Sequence, residues 1–131
     1  LPISVEYYRA RSAGDSTRAN IGETFWDWGV PTPVSVVLSS VGLPTVATGG
    51  VRSGLDVARA ISIGASAAGL AGRLLPAALE GEDALTAEVG TIIQELKAAM
   101  FLVGAKDIEA LSAANALVTG RSREWLDNVM E

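Results

Sequence analysis

The chain of 131 residues contains no cysteine and no histidine. Without thiols there is no disulfide framework, no thiolate nucleophile and no cysteine-based metal site. Without imidazole, the commonest general base and the commonest metal ligand are both missing. Any enzymatic chemistry must come from a cofactor, from carboxylates, or from residues outside this sequence. Aromatic residues are only 5% of the chain, and 10 Lys and Arg stand against 15 Asp and Glu, for a net charge of -5. No basic stripe serves nucleic acid and no block of like charge reads as a tail, so no nucleic-acid partner is expected. Long apolar runs are absent too. The weakly polar stretch 61–79 is interrupted by Ser62, Ser66, Arg73, Pro76 and glycines, which makes it too broken for a membrane span. Leu1-Pro2-Ile3 has no basic start followed by an apolar core, so no signal peptide is expected. A cytoplasmic location is the expectation, and the missing initiator Met suggests a processed or truncated piece.

What the chain does have is glycine at informative places. Thr45 to Thr48 reads as a strand, followed by the turn Gly49-Gly50-Val51-Arg52-Ser53-Gly54. A helix then runs to Gly64, where a C-terminal cap glycine belongs. Ser53 and Asp56 have the spacing of a helix-capping pair. A small-residue strand (65–70) leads into a second turn, Ala71-Gly72-Arg73. Glycine lets backbone amides approach an anion, and two such turns at one end of neighbouring parallel strands suit a phosphate.

The flanks are read from periodicity and caps. Residues 5–11 fit a strand or a helix end, and Ser12 to Asn20 reads as an exposed polar loop. Phe25-Trp26-Asp27-Trp28-Gly29 gathers aromatics and reads as a hydrophobic plug. Thr32 and Pro33 open a helix whose buried face is Val34, Val37, Leu38 and Val41. Arg73 to Leu79 reads as a short helical turn. Leu85, Val89, Ile92, Leu96, Met100 and Val103 recur at helical spacing over 83–103. Asp107 caps a short helix to Ala114, Leu117-Val118 is extended, and Ser122 caps a last helix. Strands alternating with helices imply a parallel sheet, and two strands are too few to stand alone. The fold class is therefore α/β, either as a segment of a larger domain or as a chain that must associate with something.

In (β/α)8 barrels the loops after strands seven and eight, with a short extra helix, form a phosphate site. The two turns here have that layout. Arg52 could add a charge-assisted contact, or could pair with Asp56 four residues on. Arg73 is read as solvated, and Glu80, Glu82 and Asp83 as ordinary acids at a helix start rather than metal ligands.

Several stretches resemble type 2 isopentenyl-diphosphate isomerases: Asp27 to Thr32, Ala47 to Ala58, Gly64-Ala65 to Ala71-Gly72, Glu95 to Ala105, and Thr119-Gly120. The glycine turn is shared with other FMN barrels, whereas the Asp-Trp-Gly and Lys-Ala-Ala-Met-Phe-Leu stretches are more particular. The resemblance implies a (β/α)8 TIM barrel, of which this chain is roughly the last third. Residues 1–29 would be an irregular lead-in, 30–80 the strand-seven and strand-eight phosphate unit, and 81–131 the C-terminal helices. It also implies reduced FMN, Mg2+, NADPH as flavin reductant, an isoprenoid diphosphate substrate and a homo-oligomer. The FMN phosphate would be held by Gly49, Gly50, Val51, Arg52, Ala71 and Gly72. No catalytic residue and no metal ligand is assigned to this chain, which alone is expected to be inactive. Two alternatives stay open: another FMN barrel of the hydroxy-acid oxidase type, and a non-catalytic phosphate-binding or assembly piece.

Overall fold

The computed structural model describes residues 2–26, 28–40 and 42–129. They form two compact units, Leu1–Pro31 and Thr32–Glu131.

The first unit is a pair of packed helices, α1 (Pro2–Ser12) and α2 (Ser16–Thr24). The expected polar loop is thus largely helix. Its start signal is Asp15, whose carboxylate accepts the Arg18 N–H at 3.0 Å. Its packing signal is small residues rather than large ones: Ala19 and Gly22 are buried, and a Cβ on Gly22 would lie 2.8 Å from Tyr7 Cβ. The aromatic plug is also corrected. Trp26 meets the rings of Tyr7 and Tyr8 edge-on at 5.3 and 6.0 Å, yet Trp28 is 75% exposed. The cluster is a surface one. Asp27 lies outside the described residues.

The second unit runs α3 (Thr32–Ser39), β1 (Val46–Thr48), α4 (Gly54–Ser62), β2 (Ala67–Gly69), α5 (Leu74–Glu80), α6 (Glu82–Leu102), α7 (Ile108–Ser112) and α8 (Arg121–Val129). β1 and β2 pair in parallel, with Val46 opposite Ala67 and Thr48 opposite Gly69. The α4 helix connects them, as the alternating pattern requires. Ser53 caps α4 by accepting the Asp56 N–H at 3.1 Å, and Gly64 follows its C-terminus at φ +109°.

Two apolar clusters hold the unit. Val36, Ala47, Ala60 and Ala65 pack where α3, β1 and α4 meet. Ala58, Ile61, Ala99 and Leu111 pack where α4, α6 and α7 meet, flanked by Leu96 and Met100. The buried face of α3 therefore differs from the expected one: Val34 and Val36 are buried, Leu38 is exposed, and Val41 lies outside the described residues. Val36 is drawn inward because Ala47 and Ala60 leave room for it. On α6 the inward strip is Leu85, Glu88, Ile92, Glu95, Leu96 and Ala99, while Val89 and Val103 are exposed. Asp107 caps α7 by accepting the Ala110 N–H at 2.7 Å. Leu117-Val118 pairs with no strand among the described residues, and α8 begins at Arg121, which puts Ser122 inside the helix.

Candidate functional site

The register of the two strands decides the site. Thr48 and Gly69 are opposite one another, so the turns 49–53 and 70–73 leave the sheet at the same end. Gly49 and Gly50 have φ of +87° and +83°, a region that costs an L-residue about 1–2 kcal/mol. Thr32 at the start of α3 pins the turn, its hydroxyl donating to the Gly49 carbonyl at 2.8 Å.

The glycines of both turns border open space. A Cβ on Gly50 or on Gly72 would meet nothing within 4 Å. Among the described residues, the N–H groups of Gly50, Val51, Ala71 and Gly72 donate to no protein acceptor. N–H groups without protein partners, on and beside glycine, are available to an anion. The Arg52 side chain is exposed and has no ion-pair partner among the described residues. Of the two readings of Arg52, the pairing with Asp56 is not what forms. Asp56 instead accepts the Arg52 backbone N–H at 3.1 Å and the Ser53 hydroxyl at 2.9 Å, and its ion pair is with Arg59 at 3.4 Å. Burial pushes the Asp56 carboxyl up, but those bonds outweigh it and its pKa is lowered overall.

Gly49, Gly50 and Val51 line an open cleft of about 810 Å3 together with Thr32, Val36 and Arg59. Ala71 and Gly72 do not line it; they stand beside it on the second turn. The link between the turns is Arg73, which the sequence reading left in solvent. Its side chain is only 23% exposed. It donates to the Arg52 carbonyl at 2.9 Å, to Glu95 at 2.9 Å, and from Nε to Glu88. Hydrogen bonds to Glu95 and then Glu88 raise the guanidinium pKa. The bond from Arg73, followed by one from the Gly54 N–H at 2.7 Å, lowers that of Glu95.

This network was not foreseen. Its trace in the sequence is faint: Glu88 and Glu95, seven residues apart, interrupt the apolar strip of a helix. No group of three or more acidic residues able to hold a metal exists among the described residues. None of their helices is long and apolar enough to cross a membrane.

Residues 32–118 match the family described as FMN-dependent dehydrogenase. Curated relatives named isopentenyl-diphosphate delta-isomerase include that of Methanosarcina mazei, 45% identical over 94% of this chain and 34% of its own length. Those of Thermoplasma volcanium and Archaeoglobus fulgidus are each 44% identical, over 95% and 94% of this chain and 36% and 35% of theirs. The chain thus spans about a third of the length of the curated relatives it matches.

Proposed function

The chain belongs to the FMN-dependent dehydrogenase family, and on that premise we propose that it is the flavin-phosphate-gripping part of an isopentenyl-diphosphate isomerase. The observation that carries this reading is the pair of glycine turns with unpartnered amides, set at one end of a parallel strand pair. Gly49, Gly50, Val51, Ala71 and Gly72 would hold the phosphate through backbone amides, and Arg52 would add a charge-assisted contact. The alternating β and α elements around the turns fit two strands of a (β/α)8 barrel near its closing end. The name shared by the relatives supports isopentenyl and dimethylallyl diphosphates as the substrates of the parent enzyme.

When bound and reduced, the flavin would supply proton transfer to and from the substrate with no net redox change. This chain's own residues orient the cofactor by its phosphate. With no histidine in 131 residues, they offer no imidazole for the proton step. NADPH as reductant, Mg2+ with the diphosphate, a cytoplasmic setting and assembly into an oligomer complete the reading for the parent protein. No magnesium ligand is assigned to the described residues.

The test is a titration of the 131-residue chain with FMN and with riboflavin, together with a turnover assay on isopentenyl diphosphate with reduced FMN and Mg2+. FMN should shift the amide resonances of Gly50, Val51 and Gly72 while riboflavin leaves them in place, and turnover should be absent. Equal responses to the two flavins would refute the phosphate grip. Appreciable turnover would refute the placement of the chemistry outside this chain.

A further inference from the structure

The α4 helix poses a problem for an anion site. A helix N-terminus next to a glycine turn is where a phosphate is ordinarily held, because its first N–H groups have no partner within the helix. Here two of those groups are already engaged. The Gly54 N–H, first in the helix, donates to Glu95 at 2.7 Å, and the Asp56 N–H donates to Ser53 at 3.1 Å. Glu95 comes from α6, 41 residues along the chain. It reaches Gly54 because that glycine has no side chain: a Cβ there would lie 2.2 Å from the Ile92 carbonyl oxygen and 2.3 Å from the Leu96 nitrogen. The carboxylate is thus brought to the base of the turn by a helix crossing that only glycine allows.

The same carboxylate accepts from Arg73 at 2.9 Å, and Arg73 donates onward to the Arg52 carbonyl at 2.9 Å. The turn is held at both of its distal residues. Its Arg52 carbonyl is fixed from the second turn and its Gly54 amide from α6. Before these points lie the amides of Gly50 and Val51, which have no protein acceptor. A flexible glycine turn has the entropy of its φ > 0 residues to lose on binding an anion, and fixing it beforehand removes that loss.

We propose that Arg73 and Glu95 are positioning residues for the anion-binding turn, clamping the Arg52 carbonyl and the Gly54 amide so that the Gly50 and Val51 amides stay aimed outward. This rests on the reading of the turn as the flavin-phosphate grip. It adds that the first amide of α4 is taken by an internal carboxylate, so that the turn amides of Gly50 and Val51 act as donors ahead of it. Glu88 has a different part. It holds the Arg73 side chain and bonds neither Arg52 nor Gly54.

The experiment is amide hydrogen exchange and FMN titration by NMR on the 131-residue chain, with Glu95→Gln, Glu95→Ala, Arg73→Gln and Glu88→Gln beside the wild type. Without ligand, the Gly54 amide should exchange about tenfold faster in Glu95→Ala than in wild type, as a part-buried hydrogen bond is lost. Glu95→Gln, which keeps an acceptor, should restore part of that protection. Glu88→Gln removes an ion pair of similar kind and should leave Gly54 exchange as it was. A general structural role would instead raise exchange throughout α4 and α6 for all four variants alike, and that result overturns the proposal. So does a Gly54 amide equally protected in Glu95→Ala and wild type. In the titration, Arg73→Gln should weaken FMN about tenfold without altering the response to riboflavin. Equal FMN affinity in Arg73→Gln and wild type would also refute the clamp. Should wild type show no FMN response at all, the phosphate reading fails, and exchange at Gly54 still decides the clamp.

Discussion

Gly54→Ala is the most informative single change in this chain, because it adds one methyl at the crossing on which the site depends. The new Cβ would sit 2.2 Å from Ile92 O, 2.3 Å from Leu96 N and 2.7 Å from Glu95 Cβ. Two of these three are backbone atoms that no rotamer change can move. Since carbon needs roughly 3.4 Å or more from such atoms, α4 and α6 must part by about 1 Å. That opens the cluster of Ala58, Ile61, Ala99 and Leu111 and lengthens the bond from the Gly54 amide to Glu95. Overpacking costs typically 1–3 kcal/mol, and the upper end applies to a clash with backbone. Alanine is favoured over glycine in a helix by up to about 1 kcal/mol, less at a first helical position. The net expectation is a loss of about 2 kcal/mol, which lowers Tm by about 6–10 °C for a chain of this size. Gly90→Ala is the internal control. It lies within α6 and its added Cβ would meet nothing within 4 Å. It should stabilise by about 0.5–1 kcal/mol through helix propensity alone. Urea denaturation followed by far-UV circular dichroism measures both. If Gly54→Ala were as stable as Gly90→Ala, the α4–α6 contact as described would be wrong, and the Glu95–Gly54 bond with it.

Two further predictions concern the same region. Ser53→Ala removes the cap that accepts the Asp56 N–H and donates to its carboxylate, and should destabilise by about 1 kcal/mol in the same denaturation assay; no change would mean that α4 does not rely on that cap. The second is a pH dependence. Arg73, then the Gly54 N–H, hold the Glu95 carboxyl below its ordinary value of 4.5, and Asp56 is also lowered. A depressed folded-state value contributes stability above the unfolded value and loses it as pH falls through the folded one. The stability gap between wild type and Glu95→Gln should therefore be full near neutrality and shrink below 4.5, and a gap independent of pH would contradict the bonded geometry of Glu95.

The readable parts of this chain were those whose causes are local. The strand 46–48, the glycine turn, the Ser53 cap and the Gly64 stop sit within a few residues of what produces them. The Asp107 cap was equally visible. The first unit was harder, because α2 buries Ala19 and Gly22 instead of large side chains, and the periodicity of a helix packed on small residues is faint. The face of α3 was misjudged for a related reason. Which valine turns inward depends on the space left by Ala47 and Ala60, and that space exists only once β1 and α4 are in place.

For the candidate site, the sequence by itself determined where backbone could adopt φ > 0, and so where the first turn could bend to present its amides: Gly49 and Gly50. Glycine alone permits such conformations at little cost, which is why that much is written residue by residue. What only the tertiary structure decided is which partners hold those amides in place. Arg73 meets Glu95 across 22 residues, Glu95 meets Gly54 across 41, and Arg73 reaches the carbonyl of Arg52 across 21. A charge seven residues from another on α6 has no meaning until the helix docks and its neighbours turn out to be apolar. Partial burial then makes an unpaired carboxylate costly, and the Arg73 guanidinium becomes its partner and the bridge between the two turns.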